Sequence, residues 1–144
     1  MKELDKLIAP MEETFKKLPS LPKGVNEFIV TIAPWLSLIF GALGLLGSLA
    51  ALGVVTFLSP AVMMGGGVGV TAGLTLSVIL ALVSSALILI AVPALFSRKI
   101  MGWNFVFLSE VVSVVSAVLA ISLTGIVFSL IGFYILFQVK SYYK

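Results

Sequence analysis

Apolar positions along this chain fall into two regimes. Between Leu4 and Leu18 they recur at helical spacing, at Leu4, Leu7, Ile8, Met11, Phe15 and Leu18, with Lys and Glu filling the other face. That spacing predicts an amphipathic helix, bent or interrupted at Pro10. The segment Pro19 to Gly24, with two Pro and a Gly, reads as a linker. Beyond it the pattern changes from periodic to continuous. From Phe28 to Ser97 there are 70 residues without a formal charge, and from Trp103 to Val139 the one charged residue in 37 is Glu110. Stretches this long and apolar call for lipid rather than water.

Breakers divide these stretches. A first span is predicted at about 35–58, with Pro34 in its first turn or at a kink in a helix extended over 28–33, and Ser59–Pro60 at its end. The loop 59–70, carrying Gly65, Gly66, Gly67 and Gly69, is too apolar for an ordinary water-exposed loop, and a second span follows at 71–96 with a bend at Pro93. The 37 residues from Trp103 to Val139 would make one helix of roughly 55 Å, against a hydrocarbon core of about 30 Å. They must fold back, and the weak breakers Ser122, Thr124 and Gly125 place the turn. Spans of 103–121 and 125–139 result, the last extended toward Tyr142 by a snorkelling Lys140. The expected fold is all-α: an integral membrane four-helix bundle over residues 28–144, preceded by a cytoplasmic amphipathic helix and linker over 1–27.

Charge supplies the orientation. Lys2, Lys6, Lys16, Lys17 and Lys23 precede the first span, Arg98 and Lys99 lie between the second and third, and Lys140 and Lys144 follow the fourth. The other two loops carry none, so both ends are expected in the cytoplasm and the chain in the cell membrane. Three crossings would leave Lys140 and Lys144 outside. Trp35, Trp103, Tyr142 and Tyr143 fall near the inner span ends, where an interfacial belt belongs. The N-terminal 27 residues balance five Lys against five acids before any long apolar run, the wrong order for a cleaved signal peptide.

Composition agrees: 60% hydrophobic, 10% charged, mean hydropathy +1.24 and a pI near 9.3. Because the basic residues flank spans, anionic lipid rather than nucleic acid is their expected partner. The chain has no Cys and no His, which removes thiol chemistry, His-based triads, haem ligation and most transition-metal sites. No cofactor, metal or catalytic residue is expected. Gly67-Val68-Gly69-Val70-Thr71-Ala72-Gly73 departs from the dinucleotide fingerprint by one residue and lacks a Walker Lys, so it predicts no phosphate site.

Glu110 is the one ionisable residue within a span, and such residues usually face a bundle interior or an ion pathway. Counting back from the hairpin puts Tyr134 and Gln138 near its depth, and Ser109, Ser113 and Ser116 lie on its own helix. One reading makes Glu110 a packing residue. The other makes Glu110, Tyr134 and Gln138 a transport site. Small residues form stripes at Ser37, Gly41, Gly44, Ser48 and Ala51, at Ser77, Ala81 and Ser85, at Ser113 and Ala117, and at Gly125, Ser129 and Gly132. Such faces let helix backbones approach closely, within one chain or between copies in a homo-oligomer.

Three stretches carry a resemblance: Ile32-Ala33-Pro34-Trp35, Lys99-Ile100-Met101-Gly102-Trp103-Asn104-Phe105, and Tyr134-Ile135-Leu136-Phe137-Gln138-Val139-Lys140-Ser141-Tyr142-Tyr143-Lys144. They resemble a group of small uncharacterised four-span membrane proteins from candidate-phylum bacteria. The resemblance implies topology and no activity. Some of those proteins carry a chromate-transporter label, but the Gly-Gly-Pro and His-containing motif of chromate transporters is absent here. The functional expectation is a small membrane scaffold or partner-binding subunit, with a cytoplasmic or membrane protein as partner. The alternative is an oligomeric transporter or channel for protons, cations or small cationic solutes using Glu110.

Overall fold

The computed structural model describes residues 2–144. Met1, the first residue of the expected N-terminal segment, lies outside them. The described chain is helical without a strand: α1 (Lys2–Lys16), α2 (Lys23–Phe96), α3 (Ile100–Leu119), α4 (Leu123–Val139) and one 3-10 turn, Lys140–Tyr142. Three helical segments are long and apolar enough to cross a membrane, α2, α3 and the stretch Leu123–Tyr142, which marks the chain as a membrane protein.

The 74 residues of α2 are two limbs. Gly67 alone departs from helical geometry, at φ 78° and ψ 174°, and there the chain doubles back. The reversal is read from the packing. A Cβ on Gly41 would meet Leu89 and one on Gly44 would meet Ser85, while Val55, Leu58 and Val62 share a cavity wall with Thr71 and Leu74. The limbs, 23–66 and 68–96, therefore run antiparallel. The loop expected at 59–70 contracts to one residue, and Ser59 and Pro60 lie inside the helix. A reason is visible: Pro60 has no N–H for the carbonyl of Thr56, and the Ser59 hydroxyl donates to that carbonyl instead, at 2.9 Å. Pro34 sits within the helix, as the extension over 28–33 has it, because α2 starts at Lys23.

Helices α3 and α4 form a second, shorter hairpin. Both α2 and α3 end with a residue in the left-handed region, Arg98 (φ 49°) and Ile121 (φ 51°). Each closes paired turn bonds: Lys99 N–H to Ala94 C=O at 2.8 Å, and Ser122 N–H to Ala117 C=O at 2.8 Å. The side chain of Ser122 then caps α4 by accepting from Gly125 N–H at 3.2 Å.

Aromatic packing concentrates at the charged end of the two hairpins. Trp103 and Phe107 are fully buried, their rings stacked at 5.4 Å, and Trp103 donates Nε1–H to the Leu136 carbonyl at 2.8 Å. Ile8 of α1 is buried in this core, and Leu4, Met11 and Phe15 pack against it. The chain's last residues join the α2–α3 turn through Ile100 N–H to Lys144 C=O, 2.7 Å, and Lys144 N–H to Arg98 C=O, 2.9 Å.

Candidate functional site

Glu110 lies two turns above Trp103 on α3, half-buried and turned toward α4. The Ser129 hydroxyl donates to its carboxylate. Gly132 makes room for it, since a Cβ there would stand 2.6 Å from Oε1. The carboxylate lies on a partly open cleft of about 220 Å³ between the first limb of α2 and α4, floored by α3. Ile29, Ala33, Ser37, Trp103, Val106, Ile135, Leu136, Val139 and Tyr143 line it beside Glu110 and Gly132, so the walls are apolar with a few polar groups.

Tyr134 and Gln138 are elsewhere. Each residue advances about 100° around a helix, so both are turned away from the face that carries Ser129 and Gly132. Tyr134 donates its hydroxyl to the Pro19 carbonyl at 2.5 Å, and Gln138 bonds the same carbonyl at 3.3 Å while accepting from Leu21 N–H at 3.3 Å. They hold the α1–α2 linker against α4. The residues beside Glu110 are instead Ser129 and Gly132, which the sequence marks as helix-packing positions, and Ser37 faces the same cleft.

Most of the other stripe residues pack inside the chain, although Ala81 is exposed. Gly41, Gly44 and Ser48 face the second limb, with Ser48 back-bonded to the Gly44 carbonyl at 2.6 Å. Ala51 is half-buried further along. Gly125 lies against Ala117, where a Cβ would approach to 3.0 Å. Between the second limb, α3 and the start of α4 runs an open groove of about 430 Å³ with Leu80, Ser84, Ser113, Ser116 and Ser122 on its walls. Ser84 reaches the Ser109 carbonyl at 3.2 Å and the Ser113 hydroxyl at 3.3 Å there.

Helix α1 is latched to α4 by stacked rings and by charge. Phe15 stacks on Phe137 at 5.2 Å, and Glu12 pairs with Lys140 and, at 2.9 Å, with Lys16. Lys140 also lies 5.4 Å from the centre of the Trp103 ring. The hydrogen bond from Lys140, then that from Lys16, holds the Glu12 carboxyl below its usual range. A carboxylate with a depressed pKa in the docked state favours docking above its unpaired pKa and loses that contribution as pH falls through the docked value. Protection of the α1 amides, taken as the observed exchange relative to the intrinsic rate at each pH, is therefore expected to fall on acidification through the carboxylate range, and Glu12→Gln should flatten the dependence. An unchanged pH profile in the Gln variant would show that Glu12 is not the latch.

No cluster of three or more His, Cys, Asp or Glu side chains lies together among the described residues. Comparison with protein-family models, curated proteins and solved structures found no match to this chain.

Proposed function

We propose that this protein is a four-crossing, N-in and C-in cell-membrane subunit without catalytic chemistry, whose role is to bind a membrane protein partner. The observation that carries this reading is a length mismatch between the two hairpins. The second limb of α2 is about 43 Å long and α3 about 30 Å. Their charged ends are level, since Gly102 abuts Ala94 and Leu95. The Ser84–Ser113 contact fixes them as antiparallel neighbours. The tip of the α2 hairpin therefore stands roughly 14 Å beyond the α3–α4 turn.

A bilayer that matches the shorter hairpin leaves the longer one to tilt or to project. The tip has no charge, and Phe57 (83% exposed) and Met64 (91%) project from it. At the shorter turn Ile121 is 90% exposed as well, a β-branched residue in a left-handed conformation that costs about 1–2 kcal/mol. A partner helix lying along the second limb would fill the step. The serine groove at Leu80 and Ser84 opens on the side of the second limb that faces α3, and by helical register the same side carries Ser77 and Gly73 nearer the tip. Its hydroxyls and small residues suit close helix packing. Helix α1 leaves little apolar surface for a partner, because Leu4, Ile8, Met11 and Phe15 are occupied by its own chain.

Photo-crosslinking residues placed at Ser77 and Ser116 in native membranes are expected to give one adduct of the same partner. Placed at Ile131, on the exposed side of α4, they should give lipid adducts only. Equal patterns at all three positions would refute the partner surface. Transport through an oligomer loses its expected interface, because Gly41, Gly44 and Ser48 are covered by the second limb.

A further inference from the structure

We infer that the Glu110 cleft is a binding site for a small lipophilic amine in its protonated form. The argument is independent of the partner surface. The cleft presents one carboxylate, and no Lys or Arg is among its lining residues. A carboxylate in apolar surroundings needs a positive or hydrogen-bond-donating counterpart, and the single hydroxyl of Ser129 leaves most of its acceptor capacity unused.

Two further residues that carry hydroxyls, Ser37 and Tyr143, line the same space, and neither hydroxyl makes a hydrogen bond within the described chain. Ser37 is unusual in this respect. The hydroxyls of Thr31, Ser48, Thr56 and Ser85 all bond back to their own helix. An apolar hollow with a few convergent polar groups is the usual form of a small-molecule site.

The chemistry of the walls selects the cation. Hard metal ions take six or more oxygen ligands, and here Ile29, Ala33, Val106, Ile135 and Leu136 occupy the positions where those would be needed. An ammonium carrying N–H bonds can donate to Glu110 and Ser37 while its hydrocarbon part lies along these apolar side chains. The volume, about 220 Å³, is below that of drug-sized sites, which limits the body to a short chain or single ring. In the four-crossing arrangement the flanking helices stand in lipid, so an amine partitioned into the cytoplasmic leaflet reaches the cleft sideways.

The test uses the full chain in nanodiscs of neutral lipid, with hexylamine as probe and the fluorescence of Trp103 as reporter in a Trp35→Phe background. Saturable quenching or a spectral shift is expected, beyond any change in a free-Trp nanodisc control. Glu110→Gln should weaken hexylamine about tenfold or more, the loss of a charge-assisted hydrogen bond. Ala33→Leu, which keeps the carboxylate but fills the cleft, should weaken it comparably. Hexanol, the neutral analogue, should bind equally poorly to native and Gln proteins. Circular dichroism and unfolding midpoints identify any variant that misfolds, and the Ala33→Leu protein then decides. Hexylamine binding that is unsaturable, equal to that of hexanol, or unchanged in both variants would overturn the assignment.

Discussion

Gly102→Ala is expected to lower stability by roughly 1–3 kcal/mol, the range for overpacking a close contact. A Cβ at this position would lie 2.7 Å from the Leu95 backbone nitrogen and 2.9 Å from the Ala94 carbonyl carbon. These are main-chain atoms, so no side-chain rotation can relieve the overlap. They are also held in place, because the Ala94 and Leu95 carbonyls accept the turn bonds from Lys99 and Arg98, at 2.8 and 3.0 Å. Displacing the start of α3 would move the adjacent Trp103, whose indole is fully buried and bonded to Leu136. The measurement is reversible unfolding in bicelles, followed by Trp fluorescence. Gly47→Ala is the control, since a Cβ there meets nothing within 4 Å, and it should be neutral or slightly stabilising. Identical midpoints for the two variants would mean that the α2–α3 corner is loosely packed.

What the sequence reveals here follows from which physical signals are one-dimensional. Hydropathy and length are, so helical segments able to cross a membrane follow from the uncharged runs and recur in the structure. The hairpin at Ser122 follows from the length of Trp103 to Val139, and the chain does turn there, through Ile121 and the Ser122 cap. Composition fails at 59–70. Four Gly and a Pro read as a loop, yet the helix runs through Pro60 because a neighbouring hydroxyl takes the orphaned carbonyl. Such a local rescue depends on side-chain geometry rather than on residue class. The spans expected at 71–96 and 103–121 already differ in length; the loop reading hides only the continuation of the first limb to residue 66.

The surroundings of Glu110 show a different limit. Depth along a helix can be counted from a turn, and the count brings Tyr134 and Gln138 to about the right height. Azimuth cannot be counted that way, and it decides contact. Gly132 and Ser129 carry the face that meets α3, while Tyr134 and Gln138 turn to the linker at Pro19. A glycine stripe opposite a lone acid was the available signal. Small residues admit a bulky neighbour as readily as they admit a second helix.

Gly67→Ala is expected to destabilise the α2 hairpin by about 1–3 kcal/mol through the backbone alone. Gly67 holds φ 78° and ψ 174°, a region essentially confined to glycine, while a Cβ there would meet nothing within 4 Å. Gly69→Ala isolates the effect, because Gly69 is two residues away, equally open and free of a positive φ. The consequence reaches the topology. Without the reversal, the 74 residues of α2 would form a rod of about 111 Å, several times the hydrocarbon thickness, and Arg98 and Lys99 would lie across the membrane from Lys23. With it, the two limbs are expected to cross twice, and a Cys at the tip, Met64→Cys, should react with an impermeant maleimide from outside. Ser141→Cys should react only after permeabilisation; the chain has no native Cys to interfere. In the Gly67→Ala background the unfolding midpoint should fall and tip labelling should become heterogeneous, while Gly69→Ala leaves both unchanged. Equal behaviour of the two alanine variants would show that the reversal does not depend on the conformation of Gly67. Labelling of Ser141→Cys in intact cells would instead overturn the orientation, whatever the hairpin does.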